Sequence, residues 1–234
     1  MPTLFTDHYR LLSERSLQAK VAEKPFYCWF KRISETLVAL VILVLFAPVW
    51  LIIALAIKLT SPGPVLFRGR VVGKDGREFT YYKFRSMQHN NDNREHYRFI
   101  VSYVSQAGLC SASSTENIKP SFKLTKDKRI TPVGQVIRKL SLDEVPQLIN
   151  VIRGEMAIVG PRPPVPYEYS LYDERCKARL GVLPGITGLA QVRARGQATF
   201  QQMVEFDLEY IARRTLILDW QIMLKTPSVM LKGI

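Results

Sequence analysis

The sequence predicts an α/β protein, mostly helical with a short β-hairpin, joined to an apolar membrane segment. Three observations lead there. The run Leu37 to Ile57 contains no charged residue and has about the twenty residues a helix needs to cross a bilayer. Phe79-Thr80-Tyr81-Tyr82-Lys83-Phe84-Arg85-Ser86-Met87 alternates and is aromatic-rich, the pattern of a strand. Elsewhere apolar residues recur at helical spacing, as in Phe200, Met203, Val204, Leu208 and Ile211. At 234 residues, 47% of them hydrophobic, the chain suffices for one domain with a real core plus an anchor, and wholesale disorder is excluded.

In chain order, residues 1–29 form an N-terminal extension, 30–60 the apolar helix and 61–234 the main domain. Lys31 and Arg32 precede the run, and Lys58, Arg68 and Arg70 follow it. Basic residues on both sides give no inside–outside asymmetry. Pro48, preceded by Ala47, lies near the middle of the run and removes a backbone donor there. From these residues alone, a spanning helix and one that is broken at Pro48 and returns to the same leaflet stand about even. Gly73-Lys74-Asp75-Gly76-Arg77 supplies a turn that pairs Val65–Val72 with the aromatic strand. Residues 88–120 are polar, Asn- and Ser-rich, and read as an irregular insertion, with His89 and His96 solvated. Gly134–Leu140 and Leu142–Ile152 read as helices joined near Ser141. Pro161, Pro163, Pro164 and Pro166 fix an extended loop. The stripe from Phe200, and Ile222, Leu224, Val229 and Leu231 after it, suit either a core or an amphipathic helix at a membrane interface.

Charge narrows the function. Lys and Arg number 33 against 20 Asp and Glu, a net +13, which favours polyanionic partners: nucleic acid, anionic lipid or phosphorylated substrates. The apolar run selects lipid and phosphate, and no nucleic acid is expected. Cys28, Cys110 and Cys176 are odd in number and far apart, which argues against a disulfide framework or zinc site and fits a reduced compartment.

The residues that carry chemistry are Asp143 and Glu144, adjacent carboxylates between Arg138 and Arg162. Ser141-x-x-Glu144 also matches a capping box, so helix capping is the plain structural alternative. Either way the pair lies at a helix start, where backbone donors favour anions. A carboxylate can attack a phosphoryl group to give an acyl phosphate. A magnesium ion bridges carboxylates and phosphates, and planar guanidinium groups clamp phosphate oxygens. The competing class is a non-catalytic, membrane-anchored basic protein, for which charge matters and residue identity does not.

Taken in order, several stretches resemble the monotopic phosphoglycosyl transferases of the bacterial sugar transferase family. These are Phe30-Lys31-Arg32, the apolar run with its proline, Tyr82-Lys83-Phe84-Arg85-Ser86-Met87, and Asp127-Lys128-Arg129-Ile130-Thr131. They continue through Arg138-Lys139-Leu140-Ser141-Leu142-Asp143-Glu144, Val159-Gly160-Pro161-Arg162-Pro163 and Pro184-Gly185-Ile186-Thr187-Gly188. The resemblance implies transfer of a sugar 1-phosphate from a UDP-sugar to polyprenol (undecaprenyl) phosphate with release of UMP, the priming step of bacterial glycan synthesis. It implies Asp143 as nucleophile and Glu144 as its partner in proton handling, with Mg2+ at this dyad. Arg138 and Arg162 are implied as phosphate contacts, and Lys83 and Arg85 are expected to join them. The apolar run is implied to be re-entrant, broken at Ala47-Pro48, with interfacial amphipathic helices and the catalytic domain on the cytoplasmic face of the inner membrane.

The chain departs from the family pattern at several points. Ala47 stands where Ser is frequent, and Glu35 where Asp is usual. The Gln-x-Arg-x-Gly pattern is replaced by Gly69-Arg70-Val71-Val72-Gly73. Leu183 and Leu189 replace a basic residue and a tryptophan. The last three departures bear on donor recognition, and Arg70, Arg193 and Arg195 are the candidate substitutes for the missing cations.

Overall fold

A computed structural model describes residues 24–88, 94–105, 129–194 and 197–231. The apolar run forms two helices, α1 (Pro25–Leu45) and α2 (Ala47–Thr60), bent by 64° at the break. Among the described residues no single helix is long and apolar enough to cross a membrane; only the bent pair has the length and composition together. Pro25 occupies the first turn of α1, where its missing N–H costs nothing, so the helix starts inside what reads from sequence as the N-terminal extension. Pro48 does the same for α2. The chain leaves α1 at Phe46, whose N–H still reaches the Ile42 carbonyl at 3.2 Å, and Pro48 falls in the next helix's opening turn. Leu40, Val41, Val44, Leu51, Ile52 and Leu55 are exposed on this pair.

The hairpin forms as expected. Strand β1 (Leu66–Val72) pairs antiparallel with β2 (Glu78–Phe84), with Leu66 opposite Phe84 and Gly69 opposite Tyr81. Asp75 and Gly76 both take positive φ, 58° and 77°, to close the turn. Just past β2, Met87 forms an isolated antiparallel bridge with Ile130.

Two corrections concern the middle of the chain. Within residues 88–120, helix α3 (Arg94–Ser105) is regular and buries Ile100, Tyr103 and Val104 at helical spacing. His96 is not simply solvated: its Nδ1 meets the Tyr167 hydroxyl. Residues 89–93 and 106–120, with His89 and Cys110, lie outside the described residues. The second concerns the paired helices around Ser141. Helix α4 (Pro132–Lys139) is followed by a 3-10 turn (Leu142–Gln147), and α-geometry resumes only in α5 (Leu148–Arg153).

A second sheet escaped the sequence pattern. Strand β3 (Ala157–Val159) pairs in parallel with β4 (Gly185–Thr187). The two glycine–proline motifs are thus the two sides of one contact. A Cβ on Gly185 would lie 2.1 Å from the Gly160 nitrogen, so the backbones can meet only through glycine. Short helices α6 (Pro166–Tyr169), α7 (Glu174–Lys177) and α8 (Leu189–Ala194) connect to α9 (Phe200–Arg213) and α10 (Leu216–Leu231).

Phe200, Met203, Val204, Leu208 and Ile211 of α9 are all buried in the main core with Val159, Val151 and Met156, so that stripe is core. Helix α10 is divided: Ile222 is buried, whereas Ile217, Trp220 and Leu224 face outward. Helix α1 is locked to this core by polar groups. Glu35 accepts from the N–H groups of Ile158 (2.8 Å) and Val159 (3.2 Å), and Lys31 lies between Glu35 (2.5 Å) and Asp219 (3.1 Å). Tyr27 and Tyr210 both donate to Asp219 at 2.7 Å. Arg32 donates to the carbonyls of Val151 and Ile152 at the end of α5, where the Val151 carbonyl also accepts from the Gly154 N–H at 3.0 Å. Gly154, at φ 84°, ends that helix in the left-handed region.

Candidate active site

Helix α4 opens on Thr131, whose Oγ1 accepts from the Gly134 N–H at 3.0 Å. A side chain on Gly134 would run into the Ser86 carbonyl, 2.0 Å from its Cβ, so this helix start is pressed against the chain leaving β2. At the other end of α4, Ser141 takes a left-handed conformation (φ 54°) and turns the chain into the 3-10 segment. Asp143 and Glu144 occupy the first turn of that segment.

The capping box is not formed. Ser141 makes no side-chain cap, because a capping residue needs extended backbone to bring its oxygen over the N–H groups that follow. The backbone bond from Glu144 N to Ser141 O, at 3.3 Å, closes the turn. Pro146 lacks the donor that an α-helix would use at that depth, which suits a segment that stays 3-10 until Leu148. Leu142 and Val145 pack against Phe84, Ile137, Ile53 and Ile57, so the dyad rests on the hairpin, on α4 and on the second half of the bent pair.

Asp143 is only 5% exposed, and Glu144 is partly open. Lys83 reaches across from β2 to Glu144 Oε1 at 2.9 Å. Burial by itself would lower the Lys83 ammonium, but the Glu144 carboxylate, then Tyr81 and Asp143, outweigh it and hold the group above the ordinary lysine range. The lysine is therefore a fixed positive charge beside two carboxylates. Arg138, in the last turn of α4, is half-buried, and its guanidinium makes no hydrogen bond or ion pair among the described residues.

Arg162 sits on the loop that follows β3, 3.8 Å from Glu168 Oε2. Tyr172 donates to the other oxygen of Glu168 at 2.5 Å. Arg179, 1% exposed, bonds Tyr172 (2.9 Å), Asp207 (2.8 Å) and the Arg162 carbonyl (3.4 Å), so it braces both ends of this loop. Burial raises the Asp207 carboxyl, and Arg179 opposes that rise. Beside Arg162, a cavity of about 40 Å³ is lined by Ala190, Ala194, Ala198 and Met203. It has room for a few waters and no substrate.

The structure thus brings Asp143, Glu144 and Lys83 together and leaves Arg138 available on the helix that enters the dyad. Arg85 takes another place than the expected phosphate contact. It is buried, and its guanidinium donates to the Pro62 carbonyl and to both oxygens of Ser61, each at 2.7 Å, closing the end of α2. The candidate substitute cations are engaged elsewhere: Arg70 with Glu78 at 3.4 Å, and Arg193 with Glu209, Nη2 to Oε1 at 3.0 Å. Arg195 lies outside the described residues. Leu189 is a buried core residue.

Sequence reasoning missed Asn150 and the residues just before the apolar run. Fully buried Asn150 donates to the Thr80 carbonyl (2.7 Å) and Glu155 (2.6 Å) and accepts from Tyr82 N (3.3 Å), fixing β2 to α5 behind the dyad. From sequence, Lys31 and Arg32 read as flanking charge and as part of a family-like stretch, and Glu35 as the position where Asp is usual, with no structural role assigned to any of them. The signal that was present is their spacing on one helix face ahead of an apolar stretch.

A pair of adjacent carboxylates suits magnesium, which binds through one or two carboxylates and completes its shell with substrate phosphates and water. Among the described residues no group of three or more His, Cys, Asp or Glu is placed to hold a metal.

Comparison with known proteins bears on the same region. A family model described as bacterial sugar transferase matches residues 26–233. The exopolysaccharide production protein ExoY of Rhizobium meliloti (strain 1021) is 38% identical over 211 residues, covering 90% of this chain and 89% of that protein. The UDP-glucose:undecaprenyl-phosphate glucose-1-phosphate transferase of Caulobacter vibrioides is 37% identical over 209 residues, 86% of this chain and 69% of that one. The protein of the same description in Escherichia coli (strain K12) is 40% identical over 204 residues, 84% of this chain but 39% of its own length.

Proposed function

The chain belongs to the bacterial sugar transferase family, and on that premise we propose that it transfers a sugar 1-phosphate from a UDP-sugar to undecaprenyl phosphate, releasing UMP. The observation that carries the reading is the dyad itself: a buried Asp143 beside Glu144, with Lys83 fixed at 2.9 Å. A carboxylate Oδ of Asp143 attacks the sugar-bearing phosphorus, the phosphoanhydride P–O bond breaks, and UMP leaves. A phosphate oxygen of the polyprenol then attacks the same phosphorus and releases the Asp143 carboxylate. One phosphoanhydride is exchanged for another, so no outside energy source is needed. Glu144 manages the protons at the nucleophile, and Lys83 holds Glu144 in place. Arg138 and Arg162 receive phosphate oxygens. Magnesium, when held by Asp143 and Glu144, neutralises phosphate charge.

The acceptor is a lipid, and the bent pair α1–α2 with its exposed apolar surface supports a re-entrant anchor that keeps the dyad at the cytoplasmic face of the inner membrane. The outward residues Ile217, Trp220 and Leu224 of α10 suit the interface. The test is UMP release by membranes given UDP-sugars, polyprenol phosphate and magnesium. Asp143→Asn abolishes it, and chelation of magnesium stops it; UMP release that survives Asp143→Asn would sink the assigned nucleophile. For topology, reporters at Met1 and at Ile234 both read cytoplasmic, and opposite readings would overturn the re-entrant anchor.

A further inference from the structure

Lys83 is one of a row of side chains on β2, and the next on its face is Tyr81. The Tyr81 ring lies 5.4 Å from the Lys83 ammonium and meets the Phe67 ring edge-on at 6.2 Å and 80°. It lies across Gly69, its partner in the register. A Cβ at position 69 would sit 2.2 Å from Tyr81 Cε1 and 2.9 Å from Phe67 Cε1, so the glycine is what allows the ring to lie on the strand. Gly69 is also where the resembling family carries Gln, so the cradle belongs to this chain's departure from the pattern. Phe67 is 49% exposed and Tyr81 half-buried, which leaves aromatic surface open beside the dyad.

Direction decides what that surface receives. The pair Leu66–Phe84 touches Ile53 and Ile57 of α2, so this end of the hairpin is the one next to the apolar helices. Tyr81 stands farther out, about 7 Å along the strand from Lys83. A polyprenol tail stays with the apolar helices. A nucleotide whose phosphates lie at the dyad extends the other way, and a ribose spans the step to Tyr81. We propose that Tyr81, cradled by Gly69 and edged by Phe67, is the platform on which the uracil of the donor stacks; this rests on the UDP-sugar reading above. Stacking on an aromatic ring reads a base through its π-face and needs no hydrogen-bond code.

The experiment is UMP binding by calorimetry to the full-length protein in detergent, with steady-state kinetics alongside. Tyr81→Ala weakens UMP binding and raises KM for the UDP-sugar by roughly five- to a hundred-and-fifty-fold, the cost of removing one base-stacking ring. Tyr81→Phe keeps both near wild type, and KM for polyprenol phosphate stays put in each. Gly69→Ala displaces the ring and weakens UMP binding, yet adds nothing once Tyr81 is already Ala. Wild-type UMP affinity in Tyr81→Ala overturns the platform while leaving the transferase reading intact. Absence of UMP binding by the unaltered protein overturns both. A KM effect on polyprenol phosphate in place of the UDP-sugar, or losses that simply add in the double variant, also overturns it.

Discussion

Replacing Lys83 by Met removes an ammonium 2.9 Å from Glu144 Oε1 and leaves an uncharged chain of similar length. At that separation two unit charges attract by about 6 kcal/mol at an effective dielectric constant of about 20. That figure is an upper bound, because the side chains remain 25% and 24% exposed and each gave up hydration to meet the other. A hydrogen bond to a charged group nets about 1.5–3 kcal/mol, or roughly 10- to 150-fold in a rate. If Lys83 fixes Glu144 for proton handling, kcat for UMP release falls by that factor while KM for the UDP-sugar hardly moves. The sign of the pH effect follows from charge. Without the neighbouring cation the dyad protonates more readily, so the acid limb of the kcat profile moves to higher pH. Lys83→Arg restores most of the rate and the original limb. The assay is UMP release against pH for the three proteins. An unchanged kcat with an unmoved acid limb in Lys83→Met would refute the assignment.

The same lysine makes a prediction for stability. Its folded value is raised, so the stability it contributes is fully present below about pH 10, the unfolded lysine range, and is lost as pH climbs through the folded value. The Tm difference between wild type and Lys83→Met is therefore steady from neutral pH to about pH 10 and shrinks above it. Asp207→Asn leaves Arg179 buried beside a neutral amide and lowers unfolding free energy by about 3–5 kcal/mol, read by denaturant titration; replacing both residues with apolar ones of similar volume costs far less. Gly185→Ala places a methyl 2.1 Å from the Gly160 nitrogen, forces β3 and β4 apart and costs at least about 1–3 kcal/mol, with a fall in UMP release because Arg162 follows directly on β3.

What the sequence made legible was local. The hairpin was readable because alternation from Phe79 and the glycines around Asp75 are contiguous signals. Pro48 marked where the run could break, since proline acts on its own neighbours, but spanning and broken helices stood even on the residues alone and only the resemblance favoured the break. The stripe beginning at Phe200 showed a helix without saying what covers it; core against interface is a tertiary choice, and Val159 and Met156 made it. The pair β3–β4 has three residues a side, too few for a period, and joins Ala157 to Gly185 across many intervening residues. Helix α3 was hidden because its buried residues Ile100, Tyr103 and Val104 are set among polar neighbours. At the dyad, the chemistry of Asp143 and Glu144 was visible in their types and order. The left-handed Ser141 was not, because serine has no preference for that conformation. The place of Arg85 was hidden for a related reason: a guanidinium suits phosphates and helix-end carbonyls alike, and its bonds to Ser61 and Pro62 depend on tertiary nearness.

The carboxylate of Glu35 binds the N–H groups of Ile158 and Val159, on β3, which pairs with β4 alone among the described residues, while Arg32 closes the end of α5. In effect a side chain from α1 stands in for a third strand. The first helix is thus no interchangeable tether. Cutting it away would bare backbone donors and acceptors inside the core and release the loop that carries Arg162. Trimming off the apolar helices therefore needs polar groups redesigned to replace Lys31, Arg32 and Glu35, or the packing that positions the site is lost with them.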